Sequence, residues 1–270
     1  MRSGNYKKLI EILKNNHGVA IAVSGGVDSM TLSYVANLFM DPKPTLYHAV
    51  SPAVPLSATT RLSYQAEQCH WNLVLLDAGE FQNDNYVKNP VNRCFFCKSN
   101  LYDRIRMEWK GPLFSGTNID DLSEYRPGLI AAKKSEVRHP FVEAGINKIE
   151  VRSIAKKNGL NDLSKLPSAP CLSSRVETGI PIQKYDLNLI EKTESKLLSL
   201  LGAIDLRCRL RHQGISVELD ALFSKGLDSQ KMEAIEKIGR EAARALGGRF
   251  CGVTTYSRGS TFKIDRVIEE

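Results

Sequence analysis

Two groups of residues in this sequence have types and spacings that could do chemistry: a glycine-rich turn and a set of cysteines. The turn is Ser24-Gly25-Gly26-Val27-Asp28-Ser29, which follows apolar residues at 19–23 and precedes a helical pattern over 30–39. Adjacent glycines let backbone N–H groups approach an anion, and a helix N-terminus adds a positive dipole end. The stretch therefore predicts a phosphate-binding turn. The alternative is a glycine-rich turn that binds nothing.

The residues expected to contact the bound phosphate lie at the end of the strand and in the turn itself. They are Ala22, Ser24, Gly25, Gly26, Asp28 and Ser29. The turn lacks the lysine of a Walker A loop and the third glycine of a dinucleotide-binding fingerprint. It therefore matches neither of those two common nucleotide motifs.

A second glycine-opened turn, Gly116-Thr117-Asn118-Ile119-Asp120-Asp121, follows a short predicted strand over 112–115. We expect Gly116 and Thr117 to contact the same phosphate compound as the first turn. Mg²⁺ prefers oxygen ligands, so an aspartate of this turn could hold Mg²⁺ together with Asp28 and the phosphates. The alternative for the two aspartates is a helix cap followed by solvated acids.

Two cysteines, Cys94 and Cys97, lie three residues apart at the start of a predicted helix. This spacing presents both sulfurs on one face, and the helix dipole with the flanking Arg93 and Lys98 favours thiolates. Half a metal site, a redox dithiol and two buried thiols all remain possible. No second Cys-x-x-Cys or His-x-x-His follows in the sequence to complete a tetrahedral zinc site.

A third cysteine, Cys171, lies in the proline-rich stretch 166–175, which predicts a stiff loop. The loop also carries Arg175, and an arginine lowers the pKa of a thiol and can hold a phosphate. Cys171 is therefore a candidate thiolate ligand or nucleophile. A linker with an incidental cysteine is the alternative.

Three arginines, Arg207, Arg209 and Arg211, alternate along a predicted strand and so share one of its faces. Three like charges on one face repel each other unless an anion lies among them. The pattern predicts either a docking site for a substrate phosphate or a solvated basic face.

The elements that must position these residues follow from the periodicity of the apolar residues. Strands and helices alternate along the first half of the chain, which implies right-handed crossovers and a doubly wound parallel sheet of the α/β class. Ligands in such sheets lie at the carboxyl ends of the strands, where Ser24-Gly25-Gly26 is found. The predicted strands are 19–23, 45–50, 73–76 and 112–115, and the predicted helices include 30–39, 57–68 and one that begins near 92.

The proline-rich stretch also predicts a boundary between two domains. We expect a nucleotide-binding domain over 1–168 and a smaller α+β domain for substrate binding or oligomerisation over 169–270. The smaller domain has predicted helices at 186–201 and 230–246 and predicted strands at 205–211, 215–219 and 249–255.

Composition narrows the class of protein. The 270 residues are 42% hydrophobic, which suffices for a core, and no apolar run approaches the roughly 18 residues of a membrane span. The N-terminus lacks the apolar stretch of a signal peptide, so we expect a cytoplasmic protein whose six cysteines include metal ligands or reactive thiols. The net charge of +7 favours anionic ligands such as a nucleotide and a phosphorylated small molecule, whereas no basic block indicates nucleic acid.

The glycine turn resembles the PP-loop of the ATP pyrophosphatases, which split ATP into AMP and pyrophosphate and leave the AMP on a substrate oxygen. The chain as a whole resembles the LarE family, ATP-dependent sulfur transferases of that superfamily that help make a nickel-pincer nucleotide cofactor. The matching segments span most of the chain: residues 24–29, Arg93-Cys94-Phe95-Phe96-Cys97-Lys98, residues 116–121, Tyr125-Arg126-Pro127-Gly128-Leu129, Cys171-Leu172-Ser173-Ser174-Arg175 and Tyr256-Ser257-Arg258-Gly259-Ser260.

This resemblance implies ATP and Mg²⁺ at the PP-loop and a sulfur-handling role for Cys171. Family members with that cysteine alone surrender its sulfur and become dehydroalanine. Because Cys94 and Cys97 are also present, the chain resembles the subgroup in which three cysteines hold a 4Fe-4S cluster and one iron is left free to carry an added sulfide.

The resemblance also implies the substrate, a pyridinium dicarboxylic acid mononucleotide whose carboxylates become thiocarboxylates. Adenylation turns a carboxylate oxygen into a good leaving group before sulfur attacks. The residues expected to act in catalysis are Cys171, Asp28 and Arg175, and the substrate phosphate is expected on Arg207, Arg209 or Arg211. A sulfide donor and a homo-oligomer are implied as partners.

Two other functions remain open. One is a tRNA thiolase, because some PP-loop enzymes use three cysteines and a cluster to thiolate a base; such enzymes need a broad basic surface. The other is a nucleotide or metal sensor without enzymatic activity. Turnover of ATP separates the sensor from both enzymes.

Overall fold

The computed structural model describes residues 3–123, 126–167, 170–202, 204–257 and 260–261. The chain divides into two compact units, one comprising Met1–Glu80 and Cys94–Ala169 and the other Phe81–Arg93 and Pro170–Glu270. The sequence places the domain boundary after residue 168, and it does not separate residues 81–93 from the first domain. That the units are separate functional domains stays a prediction.

The first unit is built on a parallel sheet of five short strands, whose order is β3-β2-β1-β4-β5. Ala22, the last residue of β1, lies between Tyr47 of β2 and Ser115 of β4. The predicted α/β class and the parallel sheet are confirmed. The strands are β1 (Ala20–Ala22), β2 (Thr45–Ala49), β3 (Asn72–Leu76), β4 (Leu113–Ser115) and β5 (Val137–Arg138).

Helices cover both faces of this sheet. Ile21 lies in one apolar core with Leu32, whereas Ala20 and Ala22 lie in a second core with Ile105. This alternation along β1 explains why the strand reads as a continuous apolar run, because both of its faces are buried. The helices in this part of the chain are α1 (Ser3–Lys14), α2 (Val27–Phe39), α3 (Leu56–Gln68), α5 (Arg93–Glu108), α6 (Pro127–Lys134), α7 (Pro140–Glu143), α8 (Lys148–Lys157) and α9 (Asn161–Lys165).

The strand order reverses direction between β1 and β4. The chain moves from β1 outwards to β2 and β3, and then returns to add β4 on the other side of β1. Ligands in open parallel sheets bind at such a switch point, beyond the carboxyl ends of the strands. The turns that follow β1 and β4 are therefore the ones placed for binding.

The second unit contains a small mixed sheet. Strand β6 (Leu206–Arg211) runs antiparallel to β7 (Gly214–Leu219), which runs parallel to β8 (Phe250–Thr255). Apolar residues of the sheet and of two long helices form its core: Leu197, Leu206, Val217, Leu219 and Ile235. The helices are α4 (Asp84–Val87), α10 (Lys184–Leu201), α11 (Ala221–Lys225) and α12 (Ser229–Ala245).

In the part of the chain that the structure describes, no helix has the length and apolar character needed to cross a bilayer.

Gly116→Ala should destabilise the protein, because the turn after β4 leaves no room for a Cβ atom. A Cβ at Gly116 would lie 2.6 Å from the backbone nitrogen of Ser29 and 2.7 Å from its Cα, so β4 and α2 would have to separate. Overpacking of this kind costs about 1–3 kcal/mol of unfolding free energy, which chemical denaturation measures.

Gly4→Ala is the matched control in the same unit. Gly4 lies in α1, and a Cβ there meets no atom within 4 Å. Alanine is a better helix former than glycine, so this variant should be as stable as the wild type or more stable by up to about 1 kcal/mol. Equal stabilities for the two variants would contradict the close approach of β4 to α2.

Candidate functional site

The turn after β1 requires glycine at position 25 for two reasons. Gly25 has a φ of +76°, and a Cβ there would lie 2.6 Å from the carbonyl oxygen of Ala58 in α3. Gly26 is the N-cap of α2, and around it the nearest atom to an added Cβ is Ser24 Oγ at 3.6 Å. The first N–H groups of a helix have no partner inside it, so the start of α2 presents donors where an anion can approach.

Two serines close this turn. Ser29 Oγ accepts a hydrogen bond from the backbone nitrogen of Ser24 at 3.1 Å and donates one to the carbonyl of Gly26 at 3.2 Å. The two hydroxyl oxygens lie 3.1 Å apart. Ser29 is buried and braces the turn, whereas Ser24 is exposed and is placed to meet a ligand.

The turn after β4 meets the first turn of α2 at Asp28. Asn118 Nδ2 donates to Asp28 Oδ1 at 3.4 Å. Thr117 Oγ1 lies 3.1 Å from Ser115 Oγ, which in turn lies 2.8 Å from His139 Nδ1. Burial lowers the pKa of His139, so this imidazole is neutral near pH 7. Both glycine turns picked out in the sequence therefore line the same edge of the sheet.

Lys148 is a residue of this site that the sequence did not reveal. Its Nζ forms a salt bridge with Asp28 Oδ2, and the two side chains are 32% and 25% exposed. Burial raises the pKa of Asp28, and the hydrogen bond from Lys148 opposes that rise. A cation that the turn itself lacks is thus supplied from a residue 120 positions away along the chain.

A capping box fixes the backbone that carries Lys148. Asn147 is the N-cap of α8, its side chain accepts from the backbone nitrogen of Glu150 at 2.9 Å, and Glu150 Oε2 accepts from Asn147 N at 3.2 Å. The Asn-x-x-Glu spacing is a sequence signal for the start of a helix. It does not indicate that the first residue of this helix reaches Asp28, because that contact depends on how α8 packs.

Asp120 and Asp121 both accept hydrogen bonds from backbone nitrogens. Asp121 Oδ2 accepts from the backbone nitrogen of Asn118 at 3.0 Å, and its other oxygen pairs with Arg126 at 2.8 Å. Asp120 Oδ2 accepts from the backbone nitrogen of Lys148 at 3.1 Å. Both carboxylates therefore hold backbone in place. A Mg²⁺ ion shared by Asp28 and an aspartate of this turn stays a prediction.

Helix α3 and strand β2 hold the other side of the glycine turn through two residues that the sequence did not indicate. Arg61 Nη1 donates to the carbonyl of Gly25 at 2.9 Å. His48 Nδ1 donates to the carbonyl of Val23 at 2.8 Å, and its Nε2 lies 2.9 Å from Thr59 Oγ1. Burial lowers the pKa of His48, so a neutral ring with Nε2 as acceptor matches these contacts.

The three cysteines predicted to act together belong to two different units of the chain. Cys94 and Cys97 lie in the first turn of α5 in the first unit, and Cys171 precedes the 3₁₀ helix Leu172–Arg175 in the second; all three are half-buried. Within either unit, the described residues contain no group of three His, Cys, Asp or Glu side chains placed to hold a metal ion. The three-cysteine cluster stays a prediction.

The three arginines of β6 share a face with Glu218 of β7. Arg209 Nε donates to Glu218 Oε2 at 3.0 Å, and Arg211 Nη2 donates to Oε1 at 2.5 Å. The anion that the arginine pattern requires is therefore present within the unit. Arg207 and Arg209 are only 7% and 3% exposed, so a solvated basic face is excluded for these two. Binding of a substrate phosphate to any of the three stays a prediction.

Arg175 is buried in the same unit and faces another carboxylate. Its guanidinium donates two hydrogen bonds to Glu194 of α10, at 3.0 and 2.9 Å. Its expected role in catalysis stays a prediction.

No family model matches the chain. Three proteins are similar to it over most of their length. An uncharacterized protein of Synechocystis sp., slr1717, is 36% identical over 208 residues, which are 74% of this chain and 75% of the relative. An uncharacterized protein of Methanocaldococcus jannaschii, MJ0830, is 31% identical over 86% of this chain and 91% of its own length.

The third relative has an assigned activity in its name. The pyridinium-3,5-bisthiocarboxylic acid mononucleotide synthase of Lactiplantibacillus plantarum, a LarE protein, is 25% identical over 216 residues, 78% of each chain. This similarity supports the LarE resemblance drawn from the motifs, while the three-cysteine subgroup within it stays a prediction. By these similarities the chain belongs to the family that includes slr1717 and MJ0830, with the LarE synthase as a more distant relative.

Proposed function

We propose that this protein is an ATP-dependent sulfur transferase that adenylates a carboxylate of a pyridinium dicarboxylate mononucleotide and converts it to a thiocarboxylate. The observation that carries the proposal is the glycine turn at the switch point of the sheet, where Asp28 and Lys148 supply an anion and a cation beside the start of α2. The name of the Lactiplantibacillus relative, a bisthiocarboxylic acid mononucleotide synthase, supports the substrate class.

In the first step the substrate carboxylate attacks the α-phosphorus of ATP. A bond forms between the carboxylate oxygen and that phosphorus, the bond to the β-phosphate oxygen breaks, and pyrophosphate leaves. Charge builds up on the departing pyrophosphate, and preorganised donors stabilise such charge strongly. The N–H groups at the start of α2, the Ser24 hydroxyl and Lys148 are the donors of this chain that we assign to that role.

Asp28 fits a Mg²⁺ site because it offers a partly buried anionic oxygen at the phosphate turn. Mg²⁺ bound there would neutralise phosphate charge. The salt bridge between Lys148 and Asp28 compensates both charges. A triphosphate with its cation offers each residue a new partner, so Lys148 can turn to the phosphates without being left unpaired.

In the second step sulfide attacks the carbonyl carbon of the acyl adenylate. A carbon–sulfur bond forms, the bond from that carbon to the AMP oxygen breaks, and AMP leaves with a thiocarboxylate as the other product. The sulfide comes from a separate donor. This step needs AMP as a leaving group because a free carboxylate is a poor electrophile.

We assign Cys94, Cys97 and Cys171 to the sulfur chemistry. Their donor set fits an iron–sulfur cluster, since cysteine thiolates are the ligands such clusters take. A 4Fe-4S cluster held by three thiolates would supply one iron without a protein ligand, on which an added sulfide can bind. The competing proposal is that Cys171 gives up its own sulfur and becomes dehydroalanine.

The arginines of β6 are assigned to the phosphate of the substrate. Arg209 and Arg211 share the single carboxylate of Glu218, so one positive charge of this pair is not neutralised by it. Arg211 is the more accessible of the two, with 21% of its side chain exposed against 4% for Arg209. A substrate phosphate therefore complements this face best at Arg211.

Lys148→Met should lower ATP-dependent pyrophosphate release in the presence of the carboxylated substrate by about 10²–10³-fold, because one preorganised cation is lost. Lys157→Met, an exposed position at the other end of the same helix, is the matched control and should turn over like the wild type. Product analysis should find pyrophosphate and AMP. Orthophosphate as the sole product, or normal turnover by Lys148→Met, would contradict the proposed role of the site.

Cys94→Ala, Cys97→Ala and Cys171→Ala should each abolish the cluster, because every one removes a thiolate ligand. The measurement is iron and acid-labile sulfide after anaerobic purification, with sulfur transfer assayed in parallel. Cys251→Ala is the control, because this cysteine is exposed and its sulfur contacts the carbonyl of Gln213.

Intact-mass measurement after turnover separates the two sulfur mechanisms. If the cluster mechanism holds, the mass of the wild-type chain is unchanged after many turnovers. Loss of H₂S with dehydroalanine at position 171, in protein that tolerates Cys94→Ala, would establish the sacrificial mechanism instead.

A further inference from the structure

We propose that Arg175 is a positioning residue that, through Glu194, holds the loop 170–174 around Cys171 in one conformation. This inference rests on the proposed function, because the loop carries Cys171, the thiol that we assign to sulfur transfer. It differs from the sequence expectation, in which Arg175 acts directly on a phosphate or on the thiol.

The hydrogen bonds of Arg175 are directed at protein acceptors. Nε and Nη2 donate to the two oxygens of Glu194 at 3.0 and 2.9 Å. Nη1 donates to the carbonyl of Pro170 at 2.7 Å and lies 3.3 Å from that of Cys171. The side chain is 5% exposed, so these donors face the interior of the unit.

Glu194 connects this arrangement to the rest of the second unit. It lies in α10, and its Oε1 also accepts from the backbone nitrogen of Cys208 in β6 at 2.9 Å. One buried carboxylate thus joins a helix, a strand and, through Arg175, the carbonyls of the two peptide bonds that flank Cys171. Burying an ion pair adds little net stability, so its effect here lies in geometry.

The other end of the loop has anchors of its own. The carbonyl of Ser174 accepts from Arg209 Nη1 and from Thr261 Oγ1, both at 2.7 Å. Ser173 Oγ lies 2.6 Å from the hydroxyl of Tyr86. Loss of Arg175 should therefore release the loop at Pro170 and Cys171 while Ser173 and Ser174 stay in place.

The charge of Arg175 is also compensated in a way that disfavours direct catalysis. A bidentate carboxylate offsets the guanidinium, and its remaining nitrogen donates to backbone carbonyls. A guanidinium with these partners has little left to offer a phosphate. It can still determine where the Cys171 sulfur lies.

The test uses the full-length double variant Arg175→Met/Glu194→Gln, prepared in the same way as the wild type. This change removes both buried charges together, which avoids leaving one of them unpaired, and glutamine still offers an acceptor to Cys208. Two rates are measured without nucleotide or substrate, on wild-type and variant protein that assay shows to be free of iron: exchange of the Ser174 amide, which donates to the carbonyl of Cys171 at 3.0 Å, and alkylation of Cys171 by iodoacetamide, followed by peptide mass spectrometry.

Loss of charge-assisted hydrogen bonds should raise the open population of the loop, and with it both rates, by about tenfold or more. The single variant Arg175→Lys should keep at most part of the wild-type protection against exchange and alkylation, because an ammonium cannot form the bidentate contact and reach the carbonyls as well. Wild-type rates in the double variant would overturn the proposal.

Leu197→Ala is the control for a general loss of stability. Leu197 is fully buried one turn from Glu194 on the same helix, and it contacts the apolar core of the unit. The melting temperature of the Leu197→Ala variant should fall while Cys171 is alkylated at the wild-type rate. If Cys171 were alkylated as fast in this variant as in the double variant, Arg175 would contribute only to stability, and the proposal would be overturned. Neither rate involves ATP. The result for the Cys171 loop is therefore independent of whether the protein releases pyrophosphate from ATP.

Discussion

The close approach of two glycines to neighbouring helices, Gly25 to α3 and Gly116 to the first turn of α2, is the constraint on which the candidate site depends. At Gly25 the backbone takes a positive φ and passes against the carbonyl of Ala58, and at Gly116 it passes against the backbone of Ser29. Neither approach leaves room for a Cβ atom. The turn after β1 leads directly into α2 at Gly26, and because β1 and β4 are neighbours in the sheet, the approach of Gly116 brings the turn after β4 to the same helix N-terminus, beside Asp28.

The charged groups of the two units are compensated in physically different ways. Asp28 and Lys148 are each about a quarter to a third exposed, so solvent screens the pair and either partner can be exchanged at low cost. The pairs of Arg175 with Glu194 and of Arg209 with Glu218 are buried, and separating them would leave an unpaired charge inside the protein. The first kind of pair suits ligand exchange, and the second kind holds backbone in a set geometry.

Several elements escaped prediction because they carry little local signal. Strand β5 has two residues, and α6 begins at Pro127 and is eight residues long, so neither is long enough for a clear periodicity. The burial of Arg207 and Arg209 could not be predicted either. A strand with alternating arginines has the same sequence pattern whether its charged face contacts water or a glutamate. Glu218 is only seven residues from Arg211 along the chain, yet the pairing follows from the register of β6 on β7.

The sequence by itself determined the parallel α/β sheet, the glycine turn at its centre and the strands of the second unit, because apolar periodicity and glycine placement act over a few neighbouring residues. It also carried the motifs that resemble those of the LarE family. Only the tertiary structure decided that Lys148 reaches Asp28, that Arg61 contacts the carbonyl of Gly25, and that Arg175 faces Glu194. Contacts between residues far apart in the chain depend on how helices pack against a sheet, and no local pattern encodes that packing.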